Sequence, residues 1–164
     1  MTTSVQKIMP FLWFDNQAEE AVNFYTTIFK SAKVGEITRY DASAKASGRP
    51  AGSVLTVSFQ LEGQEFMALN GGPIFNFTEA ISFMVNCESQ DEIDYYWEKL
   101  SEGGDEKAQQ CGWLKDKYGV SWQIVPANIG ELLSDPDPVK AQRATEVLLQ
   151  MKKIDIEALK QARE

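Results

Sequence analysis

Between Lys7 and Pro126 the residues spell out one order of elements twice, and this repetition limits the possible folds more than any single motif. The first copy opens on Lys7–Phe14 (KIMPFLWF), a near-continuous apolar run that reads as a buried strand, with Pro10 pointing to an edge or bulge. Asp15 or Asn16 is placed to cap a helix whose apolar stripe is Ala18, Ala21, Val22, Tyr25, Ile28 and Phe29. Strands follow at Lys33–Tyr40, Val54–Leu61 and Glu65–Leu69, the last two joined by a tight turn at Glu62-Gly63. The second copy has a strand at Ile81–Asn86, then a helix capped reciprocally by Ser89 and Glu92 with Ile93, Tyr96, Trp97 and Leu100 as its stripe. A weak strand near Lys107–Gln110, then Cys111–Lys115 and Ser121–Val125 around the Tyr118-Gly119 turn, complete it. A shift of 71 residues sets Phe24-Tyr25 on Tyr95-Tyr96; a shift of 56 sets Gly63 on Gly119, Phe66 on Trp122 and Met67 on Gln123.

The expected fold class is therefore α+β: two tandem βαβββ units, 7–70 and 79–126, forming curved, barrel-like mixed sheets in a single domain spanning 1–164. Beyond Pro126 a helical tail, 127–164, carries the capping pair Asp137-Pro138 and a stripe of Ala144, Val147, Leu148 and Met151, then Asp155 ahead of Ile156 and Leu159. Such a stripe must be buried on the body or on a second subunit, and a contribution to a homodimer is the favoured expectation. The two cysteines, Cys87 and Cys111, are too far apart for a CxxC pair and read as buried, reduced thiols. A formal charge of −8 opposes phosphate backbones and anionic lipid, so neither nucleic acid nor membrane is expected as a partner. No apolar run approaches a membrane span and the first residues hold no apolar leader, which makes the cytoplasm the expected compartment.

The segments PFLWFDNQAEEAVNFY, VSFQLEGQEFMALNGGP, EAISFMVNCES, QCGWLKDKYGVSWQIVP and LSDPDPVKAQR resemble the PhnB-like branch of the vicinal oxygen chelate, or glyoxalase/bleomycin-resistance, superfamily. Members of that branch often carry the label 3-demethylubiquinone-9 3-methyltransferase. The resemblance implies the doubled βαβββ fold; one fold hosts many functions, so activity does not follow from it. Methyltransferases of the doubly wound type use a glycine-rich turn, and this chain has no Gly-x-Gly, so the label is read as inherited.

Metal-dependent relatives place His or Glu on the first and last strands of each repeat. By resemblance the last-strand positions here are Met67 and Gln123, and the first-strand positions fall near Met9 and Ala80, or Ile8 and Glu79 with one residue of slack. The chain has no histidine, so Glu79 and Gln123 form the only fallback metal pair, and the expectation is no metal and no cofactor. Without histidine, Ser–His and Cys–His nucleophile pairs cannot be built. Glu65, Glu79 and Glu88 are the remaining acid/base candidates, while Asp135 and Asp137 read as turn and capping residues.

Alternation along the strands leaves a cavity lining as the candidate site: Phe11, Trp13, Met67, Leu69, Asn70, Ser82, Met84, Trp113 and Gln123. An apolar and aromatic lining with few polar groups suits a small apolar or aromatic ligand. The leading reading is thus a metal-free binding protein, leaning away from enzyme. A metal-dependent lyase, isomerase or dioxygenase with an atypical site, the labelled methyltransferase, and a purely structural dimer module are the competing readings.

Overall fold

The computed structural model describes residues 5–164, with the side chains of Lys45 and Ala46 left aside. Residues 1–4, part of the stretch read as lacking a leader, lie outside the described residues. The chain forms two compact units, Met1–Asn76 and Phe77–Glu164.

The first unit holds β1 (Phe11–Phe14), α1 (Ala18–Ile28), β2 (Ala32–Arg39), β3 (Val54–Leu61) and β4 (Gln64–Asn70), with a 3-10 segment at Ala42–Ser47. Its four strands run in the order β1-β4-β3-β2, with β1 parallel to β4 and the other pairs antiparallel. Glu62 and Gly63 both take positive φ, 47° and 82°, the backbone a two-residue hairpin needs to match strand twist. Alternation then sorts the side chains. Leu12, Phe14, Val57, Phe59, Leu61, Phe66 and Ala68 are buried toward α1, which returns Ala18, Ala21, Val22, Tyr25 and Ile28. Phe59 stacks on Phe66 at 5.1 Å between ring centroids, and each such fully buried side chain stabilises the fold by about 1.5–3 kcal/mol.

The expected β1 is longer than the strand found, because pairing with β4 begins only where Phe11 meets Met67. The cap of α1 also differs from expectation. Neither Asp15 nor Asn16 caps it; Gln17 is the N-cap residue and supplies no side-chain bond. The buried Asn70 of β4 reaches across instead, its Oδ1 accepting the Ala18 amide at 2.8 Å.

The second unit holds β5 (Ser82–Cys87), α2 (Gln90–Ser101), β6 (Trp113–Lys115) and β7 (Ser121–Pro126), then α3 (Ile129–Leu133), α4 (Pro138–Gln150) and α5 (Ile156–Gln161). Its sheet has three strands in the order β5-β7-β6, and neither sheet is a closed barrel. The strand expected near Lys107–Gln110 is instead a 3-10 turn at Glu106–Ala108, keeping only an isolated bridge from Gln110 to Trp113. Asp105 explains the change: its carboxylate accepts the Lys107 amide at 2.9 Å and curls the backbone locally.

Ser89 caps α2 as expected, its hydroxyl accepting the Glu92 amide at 3.2 Å. The return bond goes elsewhere than expected, with Glu92 accepting the Glu88 amide at 2.8 Å rather than that of Ser89. Ile93, Tyr96 and Leu100 of α2 close over Leu114, Trp122 and Ile124. Asp137 and Asp155 cap α4 and α5 through the amides of Val139 and Ala158, at 2.9 and 3.0 Å. The tail stripe packs on its own unit: Leu132, Ile154 and Leu159 cluster with Val125, flanked by Val147, Leu148 and Met151. This corrects the expected role of that stripe as a dimer arm. Both cysteines are free thiols, Cys87 buried and Cys111 only half-buried. No helix among the described residues is long and apolar enough to cross a membrane.

Candidate functional site

In each sheet one face is taken up by a helix, and the opposite, open face carries the expected lining residues other than Asn70. Cross-strand partners share a face, so the register assigns them. In the first unit Phe11 lies opposite Met67 and Trp13 opposite Leu69, with Ser58 and Thr56 beside them on β3. Phe11 is 55% exposed, whereas Trp13 is held. Its indole Nε1 donates to the Gly72 carbonyl at 2.9 Å, and its ring meets Phe75 edge-on at 4.9 Å. Gly71 is what permits this: a Cβ there would collide with the indole. Asn70 lies on the helix side, its amide committed to Ala18 and, at 3.2 Å, to the Val54 carbonyl.

In the second unit Met84, Gln123 and Trp113 form one row across β5, β7 and β6, and Ser82, Ser121 and Lys115 form the next. Gln123 Nε2 donates to Ser82 Oγ at 2.9 Å, which fixes the amide along the face. Trp122 points the other way and is buried against Phe83. Ser121 and Lys115 are absent from the sequence-derived set, although alternation back from Gln123 was enough to find Ser121.

Met67 and Gln123 have Phe11 and Met84 as ladder partners, and the expected first-strand positions Met9 and Ala80, with Ile8 and Glu79, lie outside the strands. Glu79 is instead an exposed partner of Lys115, Oε1 to Nζ 2.6 Å, and that hydrogen bond holds its carboxyl below the ordinary range. Among the described residues no group of three or more His, Cys, Asp or Glu is placed to hold a cation. A thioether, a carboxamide already donating to Ser82, and a phenyl ring do not fit a divalent metal of hard or borderline character. Of the other carboxylates, expected as acid/base candidates, Glu65 accepts from Gln60 Nε2 at 2.8 Å, and Glu88 is exposed on a loop. Asp135 accepts the Asp137 amide at 2.9 Å, as a turn residue does.

Comparison with known proteins agrees with this architecture. No curated protein matches the chain. Residues 6–125 match the family model described as 3-demethylubiquinone-9 3-methyltransferase. A PhnB protein from Bacillus cereus bearing that label is 41% identical, with a TM-score of 0.65 over 74% of this chain and 100% of its own. Protein PA1353 from Pseudomonas aeruginosa is 21% identical at a TM-score of 0.57, over 74% of this chain and 96% of its own. The fosfomycin resistance protein FosX from Listeria monocytogenes, in a variant complexed with Mn(II) and a dihydroxypropylphosphonic acid, shares the fold at 13% identity. Its TM-score is 0.51, over 82% of this chain and 100% of its own. The chain therefore belongs to the 3-demethylubiquinone-9 3-methyltransferase family, as a PhnB-like member with the glyoxalase, or vicinal oxygen chelate, fold.

Proposed function

We propose that this protein is a metal-free, non-catalytic binding member of its family, which seats a small apolar or aromatic molecule on the open sheet faces and acts in the cytoplasm as a homodimer. The observation that carries the reading is the side-chain chemistry of the open faces. At the last-strand positions where the resemblance places cation ligands this chain presents Met67 and Gln123, and their ladder partners are Phe11 and Met84. Those groups, with Trp13, Leu69 and Trp113, offer thioether and aromatic contact surface and one oriented amide, the composition of a small-molecule site. Phe11 at 55% and Met84 at 52% exposure leave apolar area for a ligand or for a second copy of the chain.

The test is titration of the purified protein with small aromatic compounds while following tryptophan emission, since Trp13 and Trp113 lie on the two open faces. Saturable change in emission is expected, together with metal content well below stoichiometric in protein prepared without chelator. Stoichiometric Mn, Fe, Zn or Ni would overturn the metal-free part, and emission indifferent to every compound would overturn the binding part. Sedimentation equilibrium giving a monomer at micromolar concentration would remove the homodimer.

A further inference from the structure

The row beside Gln123 consists wholly of hydrogen-bond donors. Ser82 faces Ser121, and Ser121 faces Lys115, on three adjacent strands. With strands about 4.8 Å apart, the three positions span roughly 10 Å. Ser121 is 2% exposed and its hydroxyl has no hydrogen-bond partner among the described residues, an uncompensated burial that folded chains seldom tolerate without a use. The Ser82 oxygen accepts from Gln123, which leaves its own hydrogen free to donate. Among the described residues Lys115 is engaged only by Glu79, whose side chain is largely exposed, and a surface pair of that kind exchanges at little cost. The adjacent row supplies the Met84 thioether and the Trp113 indole.

We infer that Ser82, Ser121 and Lys115 form a head-group site for an oxyanion, carboxylate or phosphonate, borne on a small apolar or aromatic body that lies over Met84 and Trp113. The polarity is the reverse of a cation site: donors stand where acceptors would be required. Glu79 holds Lys115 in the free protein and yields it to the ligand. This inference rests on the binding reading above and names the ligand class for the second sheet.

Phenylacetate, phenylphosphonate and neutral phenylacetamide share one aromatic body and separate the two claims, with binding read by calorimetry and tryptophan emission. At least one anion is expected to bind roughly tenfold tighter than the amide, and the tighter anion identifies the head group. Ser121→Ala should weaken the anions about fivefold, and Lys115→Met tenfold or more, with phenylacetamide unaffected. Glu79→Gln should tighten them severalfold by releasing Lys115. Ser121→Ala should melt no lower than the parent protein, because its hydroxyl has no bond to lose, so lost affinity cannot be lost folding. Equal binding of all three compounds, or anion affinity untouched by Ser121→Ala and Lys115→Met, would overturn the oxyanion site while leaving general apolar binding intact. Binding of none would sink both.

Discussion

Replacing Asp116 tests whether the site face is braced from behind. Asp116 lies in the turn between β6 and β7 and is 2% exposed. One carboxylate oxygen accepts the Tyr118 and Val120 amides at 2.9 and 3.0 Å, and the other accepts the Trp122 indole N–H at 2.9 Å. Trp122 separates Ser121 from Gln123 on β7, so whatever holds the indole also fixes the two residues that face the opposite way. Asp116→Ala strips the acceptors from two buried donors and one half-buried donor, each costing about 1–3 kcal/mol when left unpaired, for a total of about 4 kcal/mol. Asp116→Asn keeps an oxygen for the two backbone amides but turns its NH2 toward the indole N–H, for about 2 kcal/mol. With a urea slope of about 2 kcal/mol/M, midpoints fall by about 2 M for Ala and about 1 M for Asn. Unfolding followed by tryptophan emission measures both. Trp122→Phe introduced into the Asn background should cost less than in the parent, because the opposed donors are then gone. Equal midpoints for Asp116→Ala and the parent, or additive costs in that cycle, would refute the bracing argument.

Three further substitutions or reagents test the packing. Asn70→Ala removes the acceptor for Ala18 and the donor to Val54, and should lower stability by about 1–3 kcal/mol, measured in urea. Gly71→Ala drives a methyl into the Trp13 ring; a loss of about 1–3 kcal/mol with red-shifted emission is expected, and a variant as stable as the parent would contradict the close approach. A thiol reagent should modify half-buried Cys111 in the native protein and Cys87 only after unfolding. Burial, with the Glu92 carboxylate adding to it, pushes the Cys87 thiol from 9.0 up to about 12. The unfolded chain thus releases this proton first, and the thiol's contribution to stability is lost as pH rises from 9.0 toward 12. Comparing the alkaline fall in urea midpoint with that of Cys87→Ala isolates it.

The parts of this molecule legible in the sequence are those set by local chemistry. Gly63 and Gly119, 56 residues apart, both take positive φ at hairpin turns, and alternation outward from them assigns Phe66 and Trp122 to the helix side and Met67 and Gln123 to the open side. The caps at Ser89, Asp137 and Asp155 are equally local. What escapes is set at long range. The α1 cap comes from Asn70, 52 residues beyond Ala18, while the nearer Asp15 pairs with Arg49 at 3.0 Å. The ladder partners of Met67 and Gln123, Phe11 and Met84, are likewise fixed by the intervening helix and strands and not by residue count. Ser121 was legible by the same alternation, two residues before Gln123 on β7, but its burial without a partner was not.

The tail shows why the second unit manages with three strands. Its amides at Cys111 and Gly112, just ahead of β6, donate to the carbonyls of Met151 and Lys152 at 2.8 Å each, so chain from beyond α4 closes a stretch of sheet edge. Gln90 at the start of α2 clasps the same segment, donating to the Ile154 carbonyl at 3.0 Å and accepting the Ile156 amide at 2.9 Å. Ile154 packs within 2.8 Å of where a Gly112 Cβ would stand, so even that glycine is fitted to the tail. Arg163 returns to α3, its Nη1 donating to the Glu131 and Ser134 carbonyls at 2.8 and 2.7 Å. These bonds bind sheet edge, helix and tail into one packed body, although the family match stops at residue 125. A tail committed in this way on its own unit cannot also serve as a loose arm toward a partner. A second copy of the chain would have to be recruited through other surface, and the open faces that carry Phe11 and Met84 are where exposed apolar area coincides with the residues assigned to the ligand.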